Sequence, residues 1–114
     1  MRELGSRAED RAADFLRKRG LKILHRNYRL RQAEIDIIAQ DGPAIVFVEV
    51  KARRGSSFGS PSEAVDSRKQ KKIREAALHY LATHKASEDA PARFDVIAIG
   101  PEGIEHIMDA FEAD

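Results

Sequence analysis

The sequence predicts an α/β domain in which a mixed central sheet is flanked by helices, in the order helix, three strands, helix, two strands. Two stretches of helical periodicity, residues 3–19 and 60–84, are set among shorter runs of strand-forming residues. Between them, residues 33–52 hold two apolar runs joined by Asp41-Gly42, a strong short hairpin signal. The antiparallel hairpin argues against a doubly wound nucleotide-binding fold, and the chain has no glycine-rich phosphate loop.

The 114 residues fit a single domain, 1–114, long enough for a core. A content of 42% hydrophobic and 34% charged residues is globular, with a heavily charged surface. No apolar run approaches the length of a membrane span, and the charged N-terminus has no signal-peptide core. Cysteine is absent, which removes disulfides and thiolate metal sites and fits a cytoplasmic setting. Twenty basic against nineteen acidic residues give no global pull toward nucleic acid. Locally the balance shifts: residues 17–31 hold seven Lys/Arg and no acid, and residues 68–74 hold five more. From Glu102 onward there are five acids and no Lys or Arg. Each basic run reads either as a solvated face or as a phosphate-binding side with salt-dependent affinity.

The first helix rests on Ala8, Ala12, Phe15 and Leu16, with Gly20 as its stop. Glu9 sits at the edge of that stripe, where an exposed Glu paired with Arg11 or Arg2 is the plain reading. Residues 21–28 form a poorly alternating strand. Arg26, Arg29 and Arg31 follow its apolar start, interleaved with His25 and Tyr28. Such a pattern can grip phosphate and stack a base, although Tyr28 covering the core rim is simpler. His25 has no partner at ligand spacing and is assigned no chemistry.

The hairpin carries Ile35, Ile37, Ile38, Ile45, Val46, Phe47, Val48 and Val50, and among them Asp36, Glu49 and Lys51. Charges in such surroundings need pairing or a metal. Glu49 and Lys51 point the same way, about 7 Å apart. A two-residue loop at Asp41-Gly42 sets Asp36 opposite Phe47, and a four-residue loop sets it opposite Glu49. Either register places all three charges on one face, unless an odd bulge intervenes. Glu34 shares that face, as a ligand or as a rim carboxylate pairing Arg53. Two carboxylates and an ammonium suit Mg²⁺ (or Mn²⁺) with a phosphate oxygen, Lys51 steadying the attacking water. A salt-bridged cluster at a strand end is the alternative.

Arg53 and Arg54 open a basic loop, to Gly59, that either closes over nucleic acid or merely connects. Ser60-Pro-Ser-Glu63 reads as a capping box for the second helix, with a second cap available at Asp66-Ser67. Its stripe is Val65, Ile73, Ala76, Ala77, Tyr80 and Leu81, with Lys69 and Lys72 sharing a face near its start. After a polar loop, 85–91, residues 93–99 alternate as a strand. Residues 100–103 then turn into a last strand, 104–108. Asp95 is expected to be structural, pairing Arg93 or a helix residue. His79, His84 and His106 are dispersed in the sequence, so no histidine metal site is expected.

Asp36 followed by Glu49-Val-Lys51 resembles the PD-(D/E)xK nuclease signature. Gly5-x3-Glu9-x2-Ala12, Asn27-x-Arg29, Glu34-Ile-Asp-Ile-Ile-Ala39, Val46-Phe-Val-Glu-Val-Lys-Ala-Arg53, Phe58-Gly59-x-Pro61 and Arg93-Phe-Asp-Val96 extend the pattern along nearly the whole chain. Together they resemble the small bacterial YraN family, which is similar to archaeal Holliday-junction resolvases. Ile35 stands in place of the motif's Pro, and Ala33 where members usually have Gly; neither change removes a catalytic side chain.

The resemblance implies a restriction-endonuclease-like fold and metal-dependent hydrolysis of DNA phosphodiesters, with branched DNA as the special substrate. It implies metal ligation by Asp36, Glu49 and the Val50 carbonyl, water positioning by Lys51, and assistance from Glu9. Phosphate contact falls to Lys69, with Lys72, Arg29, Arg31, Arg53 and Arg54 as further nucleic-acid contacts. A homodimer is implied by the resolvases. The alternative is a nucleic-acid-binding module that keeps the site with little or no cutting of its own; a purely structural protein would show no salt-dependent DNA binding.

Overall fold

The computed structural model describes residues 3–31, 33–52, 65–84 and 90–112. Helix α1, Glu3–Lys18, ends where Gly20 takes φ 92°. The Leu21 N–H donates to the Leu16 carbonyl at 3.0 Å and the Gly20 N–H to Arg17 at 2.9 Å, which satisfies carbonyls the helix leaves open. Leu16 and Leu21 are both buried in the same cluster, the apolar contact that usually accompanies this stop.

Five strands follow: β1, Lys22–Leu30; β2, Ala33–Asp41; β3, Ala44–Ala52; β4, Ala92–Gly100; and β5, Gly103–Phe111. They form one sheet in sequence order, antiparallel throughout except for the parallel β3–β4 pair. A parallel pair needs a crossover, and helix α2, Ser67–Thr83, lies within it. The sheet is therefore covered on both sides. Ala8, Ala12, Ala13 and Leu16 of α1 pack on Ile37, Ala39, Val46, Val48, Ile97 and Ile99. Ile73, Ala76, Ala77 and Tyr80 of α2 pack on Ile35, Ile38, Ile45, Phe47, Phe94 and Val96. Burial on both faces is why the central strands read as nearly continuous apolar runs. The element order and layers are those expected from the sequence.

Three local expectations are corrected. The second helix starts at Ser67, at the later of the two caps expected from the sequence: Asp66 is extended (φ −72°, ψ 173°) and its carboxylate accepts the Lys69 N–H at 2.9 Å. The Ser60–Glu63 capping box lies outside the described residues. The hairpin turns at Gly42-Pro43, not Asp41-Gly42, since Asp41 pairs with Ala44 and Gln40 with Ile45. Gly42 has φ 58° and Pro43 is confined to negative φ, which leaves the type II′ turn. Asp41 is held in the strand by an ion pair with Arg93 at 3.1 Å. The third correction concerns alternation in β2: Ile35 faces α2 while Ile37 faces α1. The slip falls at Asp36, and across from it Asn27 of β1 takes φ 57°, a conformation Asn tolerates better than most residues.

Candidate active site

Regular pairing of β2 with β3 reaches Ile37 opposite Val48 and goes no further toward the site. The same register brings Asp36 level with Glu49. There the Val50 N–H donates to Asp36 Oδ2 at 2.8 Å, so the carboxylate occupies the place of a backbone acceptor between the strands. The slip at Asp36 turns its carboxylate into the gap where the two strands part.

Glu49, buried on the α2 face, accepts from Lys69 Nζ of α2 and has Lys51 Nζ at 3.7 Å. Asp36 and Glu49 are in side-chain contact. Burial, then the Glu49 charge, raise the Asp36 pKa to about 8, against the Val50 N–H that lowers it; Glu9 adds to the rise. At neutral pH Asp36 therefore tends to keep its proton beside Glu49. The two ammonium groups diverge. Burial and the neighbouring Lys69 lower the Lys51 pKa. Burial would lower that of Lys69 too, but its hydrogen bond to Glu49 and the Glu49 charge raise it overall.

Glu9 reaches the gap from α1. Arg26 lies 3.8 Å from it and also pairs with Asp10 at 2.8 Å. With its amide nitrogen turned toward the acids, Asn27 donates to Glu9 at 3.0 Å and to Glu34 at 3.1 Å. Arg29 closes this rim on Glu34 at 3.3 Å. Glu34 is therefore occupied by Arg29 and Asn27, and it does not sit opposite Glu49.

The structure brings together Asp36, Glu49, Lys51 and Glu9, and adds Lys69 as the direct partner of Glu49. Arg31 and Lys72 line an open cleft farther along α2. Arg53 and Arg54 lie outside the described residues. Asn27 was not singled out for a role by sequence reasoning, although the Asn-x-Arg spacing marked it. The histidines show a meeting that the sequence reading did not anticipate: His25, read as lone, joins His79 and His84 around Tyr28 and Tyr80, while His106 lies apart on Asp95. A strand pair three residues apart and a helix pair five apart give no sequence signal that they converge. Asp95 pairs with Arg93 at 3.0 Å as expected, and with His106 at 2.8 Å, which was not foreseen.

Mg²⁺ fits this donor set by its chemistry: two hard carboxylates crowded against one another, whose repulsion a cation would relieve once Lys69 gives way on Glu49. Among the described residues no three histidine or carboxylate side chains converge closely enough to hold an ion by themselves. One or two carboxylates completed by waters and a substrate phosphate is the arrangement Mg²⁺ commonly accepts. No helix among the described residues is long and apolar enough to cross a membrane.

A sequence model of the uncharacterised protein family UPF0102 matches residues 8–99. A UPF0102 protein of Geobacter metallireducens is 50% identical over 115 residues, covering 97% of this chain and 93% of its own. One from Thermodesulfovibrio yellowstonii is 48% identical, covering 96% of each chain. One from Rhodococcus opacus is 46% identical, covering 95% of each.

Proposed function

The chain belongs to the uncharacterised protein family UPF0102, and from that premise we propose that it is a divalent-metal-dependent nuclease that hydrolyses DNA phosphodiesters, with branched, Holliday-junction-like DNA as its special substrate. The observation that carries the reading is the meeting of Asp36 and Glu49 with Lys51 and Lys69 where β2 and β3 part. Asp36, Glu49 and the Val50 carbonyl would hold Mg²⁺ or Mn²⁺. A bound ion supplies Lewis-acid polarisation of the phosphate and a water acidic enough to attack it. Lys51 would donate a hydrogen bond that positions the attacking water or stabilises charge on the phosphate, although burial and Lys69 loosen its hold on its proton. Lys69 remains charged and balances the extra negative charge on the phosphate. Glu9, held by Asn27, supports the rim. The proposal includes a homodimer, as the resolvases imply, and sedimentation of the full chain tests it.

The direct test combines calorimetry and cleavage. Mn²⁺ titrated into the wild type with a non-cleavable junction should bind, and binding should vanish in Asp36→Ala. Cleavage of labelled junction DNA should fall roughly 100-fold or more in Lys51→Ala, by analogy with the loss of a transition-state donor. No metal binding by the wild type sinks the reading.

One observation favours a second reading. With Lys69 on Glu49 and a proton on Asp36, the site is neutralised without a metal. That suits a nucleic-acid-binding module with little or no cutting. DNA binding without cleavage, indifferent to Glu49→Ala, would select it.

A further inference from the structure

A strip of residues leaves the candidate site along the α2 face, and the chemistry above uses only its first member. Lys69, Lys72, Ala76, His79 and Thr83 recur at three- and four-residue spacing, so they share one edge of α2. Beside Lys72 and Ala76, a cleft of about 300 Å³ is completed by Leu30, Arg31 and Ala33, with Glu75 at its lip. Beyond the cleft the Tyr28 hydroxyl is hydrogen-bonded to His79 Nδ1 at 2.8 Å. His84 stacks on the buried Tyr80, with centroids 4.1 Å apart and planes 16° apart, and His25 meets His84 edge-on at 5.0 Å. His25, His79 and His84 are exposed.

Imidazoles in such positions contribute little to a core, and aliphatic side chains would seal the rim as well. What they provide is ring surface at the solvent boundary, and the exposed Arg31 stands just past the end of the neighbouring strand β1. Basic groups that follow a backbone, with ring faces beside them, form the pattern that holds single-stranded nucleic acid. A duplex gains little from it, because its bases are already stacked on each other. From Lys69 to His79 the helix rises about 15 Å, the length of a few nucleotides.

We propose that the Tyr28, His79, His84 and His25 platform and the Arg31–Lys72 cleft bind an unpaired strand running into the active site, so that the substrate carries a single-stranded segment next to the cut. The inference rests on the nuclease reading for the position of the phosphate, and it narrows that reading's branched substrate to one with an unpaired strand at the branch.

Fluorescence anisotropy in EDTA tests it with the full chain and three labelled DNAs: a blunt duplex, the same duplex with a single-stranded tail, and the tail alone. The wild type should bind the tailed duplex about tenfold or more tightly than the blunt one, the factor expected of one stacked base. His25→Ala with His84→Ala, both exposed, should bind the two duplexes alike, with unchanged thermal melting confirming the fold. Arg31→Glu with Lys72→Glu provides a second, independent loss of the tail's advantage. Equal wild-type affinity for tailed and blunt DNA, or an advantage that survives both variants, overturns the inference and leaves the nuclease reading standing. Failure to bind any of the three DNAs also overturns the inference, while the nuclease reading stands or falls by the metal and junction-cleavage test.

Discussion

Two carboxylates and two ammonium groups within one gap make the protonation of each a property of its neighbours. The Asp36 pKa is raised from its ordinary 3.8 to about 8, so between those values the folded chain holds a proton that the unfolded chain has released. Without metal, stability should therefore fall as pH rises from about 4 to 8. Asp36→Asn should lack that slope, a difference that urea titrations at several pH values in EDTA would reveal. Metal binding needs the deprotonated form, so Mn²⁺ affinity should climb by up to about tenfold per pH unit below pH 8, with a proton released on binding. Calorimetry in buffers of different ionisation enthalpy counts that proton. Lys69 competes with any cation for Glu49, and Lys69→Met should tighten Mn²⁺ binding while weakening DNA binding. Asp95 responds in the opposite sense. Burial would raise its pKa, but His106, Arg93 and the Asp109 N–H outweigh burial and hold it low. The stability it supplies at neutral pH should be lost as pH falls below 3.8. Asp95→Ala should cost about 3–5 kcal/mol in denaturant titration, because Arg93 and His106 lose the charge they surround.

At the scale of the elements, helix α2 positions the lysine that the site depends on. Asp66 caps the helix through the Lys69 backbone N–H, and the Gln70 side chain donates to the Val65 carbonyl at 2.8 Å. Asp66→Ala should cost about 1 kcal/mol, measured by thermal or chemical unfolding, and should loosen Lys69 with it. The elements themselves were legible because their periodicities are strong, and Asp36, Glu49 and Lys51 were legible as charges interrupting apolar strands. The turn was misplaced by one residue because Asp-Gly is a strong local signal, yet Gly-Pro closes the ladder when Arg93, far along the chain, keeps Asp41 extended. Lys69 on Glu49 and Asn27 on Glu9 depend on pairings between distant elements, as does the imidazole platform. Periodicity carries no information about such meetings.

At the scale of the whole molecule, a near-neutral chain keeps its basic side chains in particular places, so DNA affinity should fall steeply with salt although the net charge is only +1. A plot of log affinity against log salt concentration would count the phosphates engaged. The sheet has two outer strands, β1 and β5, and β5 does not run straight. Its pairing with β4 slips between Phe94 and Val96, Asp109 takes φ 55°, and the Asp109 N–H is bound to the buried Asp95 at 2.9 Å. An unbroken outer strand offers a template on which further chains can add, and a kink spoils it. The Asp95 carboxylate, by drawing the Asp109 backbone toward β4, thereby makes the outer strand a poor edge for another chain to extend.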